Sequence, residues 1–408
     1  MGMLVRIAWR NIWRQRRRTW ITAGAMASGV AFCMGVIALV DGLYLDLFDI
    51  LVTDSIGHAQ IHDAEFPKKR GLHAYITAGE EVTRELEALP QVAHAAPRVY
   101  GFALLGTDDK SVGAQLIGID PAREAALTHL DGSVSAGSYA LGNGQILLGV
   151  ELARRLGVGV GGEVVAVTQA ADGSLGNALY GVSGLVKTGA VARDRGGAFL
   201  HIDDARELLA LTNQIHEIAL DARGRRDIPT LVEAARPLAE AHGLLLRSWG
   251  QINPQLAQML DFADASSVIF LIIIFAVAAI GILNTMLMSV FERTRELGVI
   301  RALGLKGRQM VALVLWETLA LVLVALAIGV PVGFGLDLYI IRHGIDLSGV
   351  MQGYSVVGTK FGGVLRGAFR VAPVVQTVVG LFVVSLLAAL WPAVRAARLE
   401  PVTAMQQE

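Results

Sequence analysis

The chain has 408 residues, 53% hydrophobic and 17% charged, with a positive mean hydropathy, proportions that exclude an ordinary soluble globular protein and place it among membrane proteins. A formal net charge of −1 argues against a nucleic-acid partner, which calls for a concentrated basic face. The single cysteine, Cys33, leaves no disulfide framework.

From the N-terminus, Val5, Trp9, Ile12, Trp13 and Trp20 recur at helical spacing among arginines. This predicts an amphipathic helix over 1–18 in the headgroup layer, with its indoles at the interface; the same residues also suit the basic flank of a signal anchor. Thr19–Val40 then carries no Asp, Glu, Lys or Arg and is long enough to cross a hydrocarbon core of roughly 30 Å, which needs about 20 helical residues. Phe32 is too large for the cleavage site that Val30-Ala31-Phe32-Cys33 loosely suggests, so 1–40 reads as a retained anchor. Gly24, Ser28, Ala31 and Gly35 offer a side on which another helix can approach closely. Leu43, Leu47, Ile50 and Leu51 continue the apolar stripe while Asp46, Asp49 and Asp54 face away, so the first spanning helix extends out of the bilayer over 19–53.

Residues 54–253 read as a mixed α and β domain. Strands are expected at Gly57–His62, Val99–Leu105, Val112–Ile119, Ala198–Ile202 and Glu217–Leu220, with helices at Glu151–Leu156, stopped by Gly157, and Asp204–Leu211. Thr77-Ala78-Gly79-Glu80 reads as a capping box opening a helix through Leu89, and Pro237 as the interruption of a later helix. The pattern suggests a membrane-proximal subdomain (54–110 and 213–253) and an inserted one (111–212).

Asn253-Pro254 reads as an N-cap followed by proline at the first helical position, opening a stalk and second spanning helix over 254–291. About 38 residues give roughly 57 Å of helix against roughly 30 Å of hydrocarbon, so this helix too projects from the bilayer. Further charge-free runs at Thr318–Leu336 and Val371–Val394 place spanning helices over 311–341 and 371–394, joined by a loop over 342–370. Arg6, Arg10, Arg14, Arg16, Arg17 and Arg18, then Arg293, Arg295, Arg301, Lys306 and Arg308, then Arg395 and Arg398 fall on one side of a four-span chain. That side is cytoplasmic by the positive-inside bias, although Arg342, Lys360, Arg366 and Arg370 in the opposite loop weaken the asymmetry. Both termini, including the 395–408 tail, are then cytoplasmic and the large domain periplasmic. The fold class is an α-helical membrane protein with four transmembrane helices plus a mixed α+β periplasmic ectodomain of two subdomains.

Between the second and third spans, Glu292–Gly304 (ERTRELGVIRALG) reads as a charged cytoplasmic helix, part of a segment over 292–310; a turn carrying positive-inside charge is the plainer alternative. Catalytic chemistry is missing. No Gly-x-x-x-x-Gly-Lys-[Ser/Thr] run occurs, so the chain has no phosphate-cradling loop, and Gly181-Val182-Ser183-Gly184 lacks nucleophile-elbow spacing. His58 and His62 on a strand stand roughly 13 Å apart, too far to share a metal, so neither a metal site nor catalytic residues are expected. Glu317, just inside span three, is expected in a structural role, reaching water at the cytoplasmic headgroup layer or pairing with Arg308. Asn284 and Thr285 are expected to make interhelical hydrogen bonds.

Taken together, Ala8-Trp9-Arg10-Asn11-Ile12, Gly57–His62 (GHAQIH), Leu148–Val158 (LGVELARRLGV), Leu179–Gly189 (LYGVSGLVKTG), Trp249–Leu260, Glu292–Gly304 and Pro392–Met405 (PAVRAARLEPVTAM) resemble, in order and spacing, the FtsX-like and MacB-type permease subunits of ABC transporters. The resemblance covers both ends of the chain and is nearest to the lipoprotein-releasing complexes. It implies a non-catalytic subunit of a bacterial inner membrane. The segment Glu292, Arg293, Arg295, Glu296, Leu297, Gly298, Arg301, Leu303 and Gly304 is implied to seat on a separate cytoplasmic ABC ATPase, which binds ATP and Mg; no cofactor is implied in this chain. It also implies a second permease copy or paralogue, a periplasmic carrier or effector, and contact with membrane lipids. An acyl-chain site maps to Val36, Leu39, Val40, Leu43 and Leu47 facing Met259, Phe262, Val268 and Ile269, positions that equally suit dimer packing. The expected function is extraction or release of lipoproteins or other amphiphilic cargo. The alternative is a mechanotransmission permease that switches a periplasmic partner without moving cargo.

Overall fold

The computed structural model describes residues 2–14, 16–66, 71–346, 355–356, 359–360 and 364–398. It divides into two compact units: Met1–Leu45 with Leu260–Leu347 and Val364–Glu408, and Asp46–Met259 with Ser348–Gly363.

The first helix, α1 (Gly2–Arg14), buries Ala8 and Ile12 and exposes Val5 and Trp9. Trp13 meets Trp9 and Trp20 edge-on at 6.0 and 5.9 Å, and Thr19 donates its hydroxyl to the Ile12 carbonyl at 2.6 Å, tying α1 to α2 (Arg16–Phe48). After α2 the chain winds into wider π-helical turns over Asp49–Ile56, ended by Gly57 at φ +78°, a conformation glycine adopts without a Cβ penalty.

The second unit is built on a ten-stranded sheet. In chain order it contains β1 (Ala59–His62), α3 (Gly79–Glu87), β2 (Val92–Gly106), β3 (Ser111–Ile119), α4 (Pro121–Thr128), β4 (Val134–Gly137), β5 (Gln145–Gly149), α5 (Val150–Leu156), β6 (Glu163–Gln169), β7 (Leu175–Val186), α6 (Val191–Gly196), β8 (Gly197–His201), α7 (Ile202–Leu208), β9 (Glu217–Ala222), α8 (Ile228–Ala241), β10 (Leu245–Ser248) and α9 (Trp249–Ile252). Strand order is β10-β1-β9-β2-β3-β8-β5-β7-β4, with β6 joining β2 to β7. The long β2 lies antiparallel to β9 over Val92–Arg98 and to β3 from Arg98↔Ile119 to Gly106↔Ser111. The subdomain boundary expected at 110/111 falls in the β2–β3 turn, and β9, from the other side of the 212/213 boundary, flanks the same β2. Ile117, Ile119, Leu147, Val186 and Phe199 pack between β3, β5, β7 and β8, each such burial stabilising the fold by about 1.5–3 kcal/mol.

Two local expectations are corrected. Helix α3 starts at Gly79 with Ala78 at its N-cap and no side-chain cap, so Thr77 forms no capping box. Ile76 is held in a two-way backbone bridge with Ile215 (2.7 and 3.1 Å), and a Cβ at Gly79 would lie 2.3 Å from the Ile215 side chain; this packing sets the helix start. Pro237 sits inside α8 without breaking it. Pro237 and Glu233 are both exposed, so the carbonyl deprived of its donor turns to solvent.

Among the described residues, four helices are long and apolar enough to span a bilayer: Arg16–Ile56, Pro254–Glu292, Gly307–His343 and Val371–Ala397. The last three are α10 (Pro254–Glu292), α12 (Gly307–His343) and α13 (Val371–Ala397), with the short α11 (Thr294–Ala302) between α10 and α12. The Asn253 Oδ1 accepts the Leu256 N–H at 3.2 Å, the cap read from Asn253-Pro254. Within the first unit, α2 approaches α12 through small residues. A Cβ at Gly329 would lie 2.9 Å from the Ala27 backbone and one at Gly333 3.2 Å from that of Ala31, while Gly35 abuts Leu336. Of the expected stripe, Ala31 and Gly35 serve this approach, whereas Gly24 and Ser28 are exposed. The expected loop 342–370 is described only in part, and residues 399–408, including the end of the Pro392–Met405 motif, lie outside the described residues.

Candidate functional site

The charged stretch between α10 and α12 is helical, as read from its sequence, but with a break at Arg293 (φ −111°, ψ 14°). That break directs the Arg293 guanidinium inward, where it donates to Glu296 Oε2 at 3.2 Å and Glu317 Oε1 at 3.0 Å. Asn11 of α1 donates to the same Glu317 oxygen at 2.5 Å, Arg14 pairs with Glu296 at 2.8 Å, and Arg18 of α2 pairs with Glu292 at 3.0 Å. Burial opposes ionisation of Glu296, but the bond from Arg293 and the charge of Arg14 outweigh it and hold the carboxyl below its ordinary range. Glu317 takes Arg293 and Asn11 as its partners instead of the expected Arg308: the kink at Arg293 carries a nearer cation to it.

The two faces of α11 differ. Leu297 and Gly298 are buried, Leu297 packing against Ala8, Met310, Leu313 and Ala393, and Thr294 caps back onto the Val290 carbonyl at 3.1 Å. Arg295, Val299, Leu303 and Gly304 are exposed, Leu303 at 83%, and Gly304 ends the helix at φ +102°. Arg301 is half-buried. Of the nine residues assigned to this segment, Arg295, Leu303 and Gly304 offer an exposed outer surface, Leu297 and Gly298 are buried, and Glu292, Arg293 and Glu296 join its ion pairs.

The nine positions assigned to acyl chains do not share one environment. In the first unit, Val36, Leu39, Val40 and Leu43 are half-buried, while Phe262, Val268 and Ile269 are exposed, at 68%, 51% and 56%. In the second unit, Leu47 is fully buried and Met259 half-buried. Thr285 does bond across helices, its hydroxyl 3.3 Å from that of Thr22; Asn284 is exposed. Asp41 and Asp337 are buried at the other ends of α2 and α12, and Asp41 pairs with Arg370 at 3.1 Å.

A second charged assembly, in the sheet unit, escapes a reading of the sequence. Arg98 of β2 is completely buried and grips Glu124 of α4 with two bonds (2.9 and 2.8 Å), Glu217 of β9 at 3.0 Å and the Ser55 carbonyl at 3.0 Å. Arg193 of α6 donates to the same Ser55 carbonyl at 2.8 Å, Thr128 to Glu124 at 3.0 Å, and Tyr100 to Glu217 at 3.1 Å. The buried Arg98 and the half-buried Arg193 thus satisfy the Ser55 carbonyl at the end of the π-helical turns. Burial disfavours the Glu124 anion, yet Arg98 prevails and its carboxyl lies below the usual range; Glu217, with one bond from Arg98, is raised by the same burial. The available signal was Arg98 itself, a charge within the apolar run Ala95-Ala96-Pro97-Arg98-Val99. Among the described residues, no three His, Cys, Asp or Glu side chains cluster as metal ligands.

An apolar four-helix set joined to a mixed sheet domain, with a charged helix between the second and third long helices, defines a class of membrane permease. Residues 19–238 match the MacB-like periplasmic core domain and residues 268–401 the FtsX-like permease C-terminal domain, and the chain belongs to the FtsX-like, MacB-type permeases of ABC transporters. It is similar to the lipoprotein-releasing system transmembrane protein LolC of Xylella fastidiosa (strain 9a5c), at 27% identity over 99% of this chain and 98% of that one. It is also similar to LolC of Neisseria meningitidis serogroup B, at 26% identity over 70% and 69%. A shorter match, 34% identical over 31% of this chain and 17% of the relative, is to the macrolide export ATP-binding/permease protein MacB of Chlorobaculum tepidum.

Proposed function

We propose that this chain is the membrane subunit of a transporter that uses ATP hydrolysis by a separate subunit to release lipoproteins, or closely similar amphiphilic cargo, from the outer leaflet of a bacterial inner membrane. The observation that carries this reading is similarity to a LolC protein along practically the whole of both chains. In it, the four apolar helices span the membrane, the termini and α11 are cytoplasmic, and the sheet unit, with its two subdomains, is periplasmic. A partner ABC ATPase binds ATP and Mg and docks on the exposed face of α11 at Arg295, Val299 and Leu303. A second permease copy or paralogue completes the transporter, and a periplasmic carrier receives the cargo. The 39 residues of α10, roughly 58 Å of helix, exceed a bilayer crossing and suit a stalk.

The test is reconstitution. The chain, purified with the ABC ATPase that accompanies it, is placed in proteoliposomes carrying a fluorescent triacylated lipoprotein. ATP-dependent transfer of the label to the aqueous phase is expected, and is lost when four glycines are inserted between Asp261 and Ala265 while ATP turnover persists. ATP turnover with no lipoprotein leaving the membrane in the unaltered complex overturns the assignment of cargo.

A further inference from the structure

The sheet unit contains a cavity of about 470 Å³ that the reading above does not use, within the size range of pockets that take small molecules. Its walls include the last π-helical turn, Ser55 and Ile56, and Gln251, Ile252 and Pro254 at the start of α10. A molecule held here touches both segments by which this unit's chain continues into long helices.

The charge of the lining is unbalanced. Arg98, Arg193, Arg247 and Glu217 all line the cavity. Arg98 is engaged by Glu124, Glu217 and the Ser55 carbonyl, and Arg193 holds that same carbonyl. Counting Glu124 behind the wall, those two arginines and two glutamates cancel. Arg247 remains. It is half-buried, its guanidinium donates to the Gln251 carbonyl, and it forms no ion pair with another described residue. A half-buried guanidinium with donors to spare favours an anion. Gln115, half-buried on β3 opposite Phe102 of β2, adds a side-chain amide, and Phe66, Phe102 and Ile117 supply apolar walls.

We propose that this cavity is a binding site for a small organic anion, whose carboxylate, sulfonate or phosphate group lies on Arg247 and whose apolar body lies against Phe66. The volume suits a compact soluble molecule and is too small for a whole diacyl lipid. Neither the buried ion cluster nor the coupling segment has to act for binding to occur, so the site stands or falls apart from the proposed cargo.

The probe is phenyl phosphate, titrated by saturation-transfer NMR against the full chain in lipid nanodiscs, with empty nanodiscs subtracted. Saturable binding is expected, with at least tenfold weaker binding of inorganic phosphate, which lacks the apolar body, and none of phenethylamine, which carries the opposite charge. Arg247→Gln and, separately, Arg247→Met are expected to weaken phenyl phosphate at least tenfold while leaving the midpoint of thermal unfolding unchanged. No saturable binding overturns the proposal. So does equal binding of phenethylamine, or affinity unchanged in both variants. If one variant is unstable, the other still decides.

Discussion

Two arginine–glutamate networks hold helix ends in this protein, and they are built to opposite specifications. Around Arg98, the side chains of Arg98 and Glu124 are fully buried and that of Glu217 is 6% exposed. Around Arg293, exposure is graded: 13% for Arg293 and 10% for Glu317, but 40% for Glu296 and 65% for Arg14. Buried ions depend on each other for solvation, so removing one strands its partners; exposed ions fall back on water. The first network is therefore a fixed anchor for the π-helical end, whereas the second can exchange partners while α11 stays seated on Leu297.

The largest effect is expected at the anchor. Arg98→Met leaves Glu124 and Glu217 buried without their cation and should destabilise the sheet unit by about 3–5 kcal/mol, seen as a large drop in the midpoint of thermal unfolding of the full chain. Replacing Arg98, Arg193, Glu124 and Glu217 together by apolar residues should recover much of that loss, because no uncompensated charge then remains. A quadruple variant as unstable as Arg98→Met would show that the anchor works by shape instead of charge.

The graded network should give smaller losses in order of burial. Glu317→Gln removes an anion that receives Arg293 and Asn11 and should cost about 1.5–3 kcal/mol; Arg14→Gln, at the exposed end, should cost about 0–1 kcal/mol. Thermal midpoints in nanodiscs check the order, and equal effects would deny the gradient.

Acidity sharpens the contrast inside the anchor. Glu124 is lowered in the folded state, so its contribution is present above its unfolded value, near 4.5, and is lost as pH falls below it. Glu217 is raised, so its contribution is complete below that value and is lost as pH rises through the folded one. The penalty of Glu217→Gln relative to wild type should therefore grow as pH falls towards about 4.5, while that of Glu124→Gln shrinks once pH falls below about 4.5. Unfolding midpoints across this range test the signs; parallel pH curves for the two variants would break the assignment.

What could be read beforehand followed from local pattern. Charge-free runs marked the four long helices, Asn253-Pro254 marked the start of α10, and Gly157 ended α5 in the left-handed region at φ +74°. Strand β7 (LGNALYGVSGLV) stayed hidden because its glycines blunt the alternation that reveals a strand. The anchor was hidden for another reason: Arg98 meets residues 26 and 119 positions away, and nothing local announces such a meeting. At α11 the spacing foretold a helix, and the family resemblance supplied its role, but neither could say which residues face outward.

That outward face gives the smallest effect on stability and the sharpest test of function. Leu303 is 83% exposed and Val299 42% exposed; water gains nothing from a large apolar side chain, but a partner's cleft does. Leu303→Asp should change the stability of this chain by no more than about 0.5 kcal/mol, since no described neighbour loses packing. If the partner ATPase docks here, the same change buries a carboxylate in an apolar contact and should abolish both copurification and stimulation of ATP hydrolysis. Leu297→Asp, on the inner face, should instead unseat α11 and lower the thermal midpoint. An ATPase that still binds and is still stimulated by Leu303→Asp would move the docking surface away from this face and leave α11 with only its role in holding α10 and α12 together.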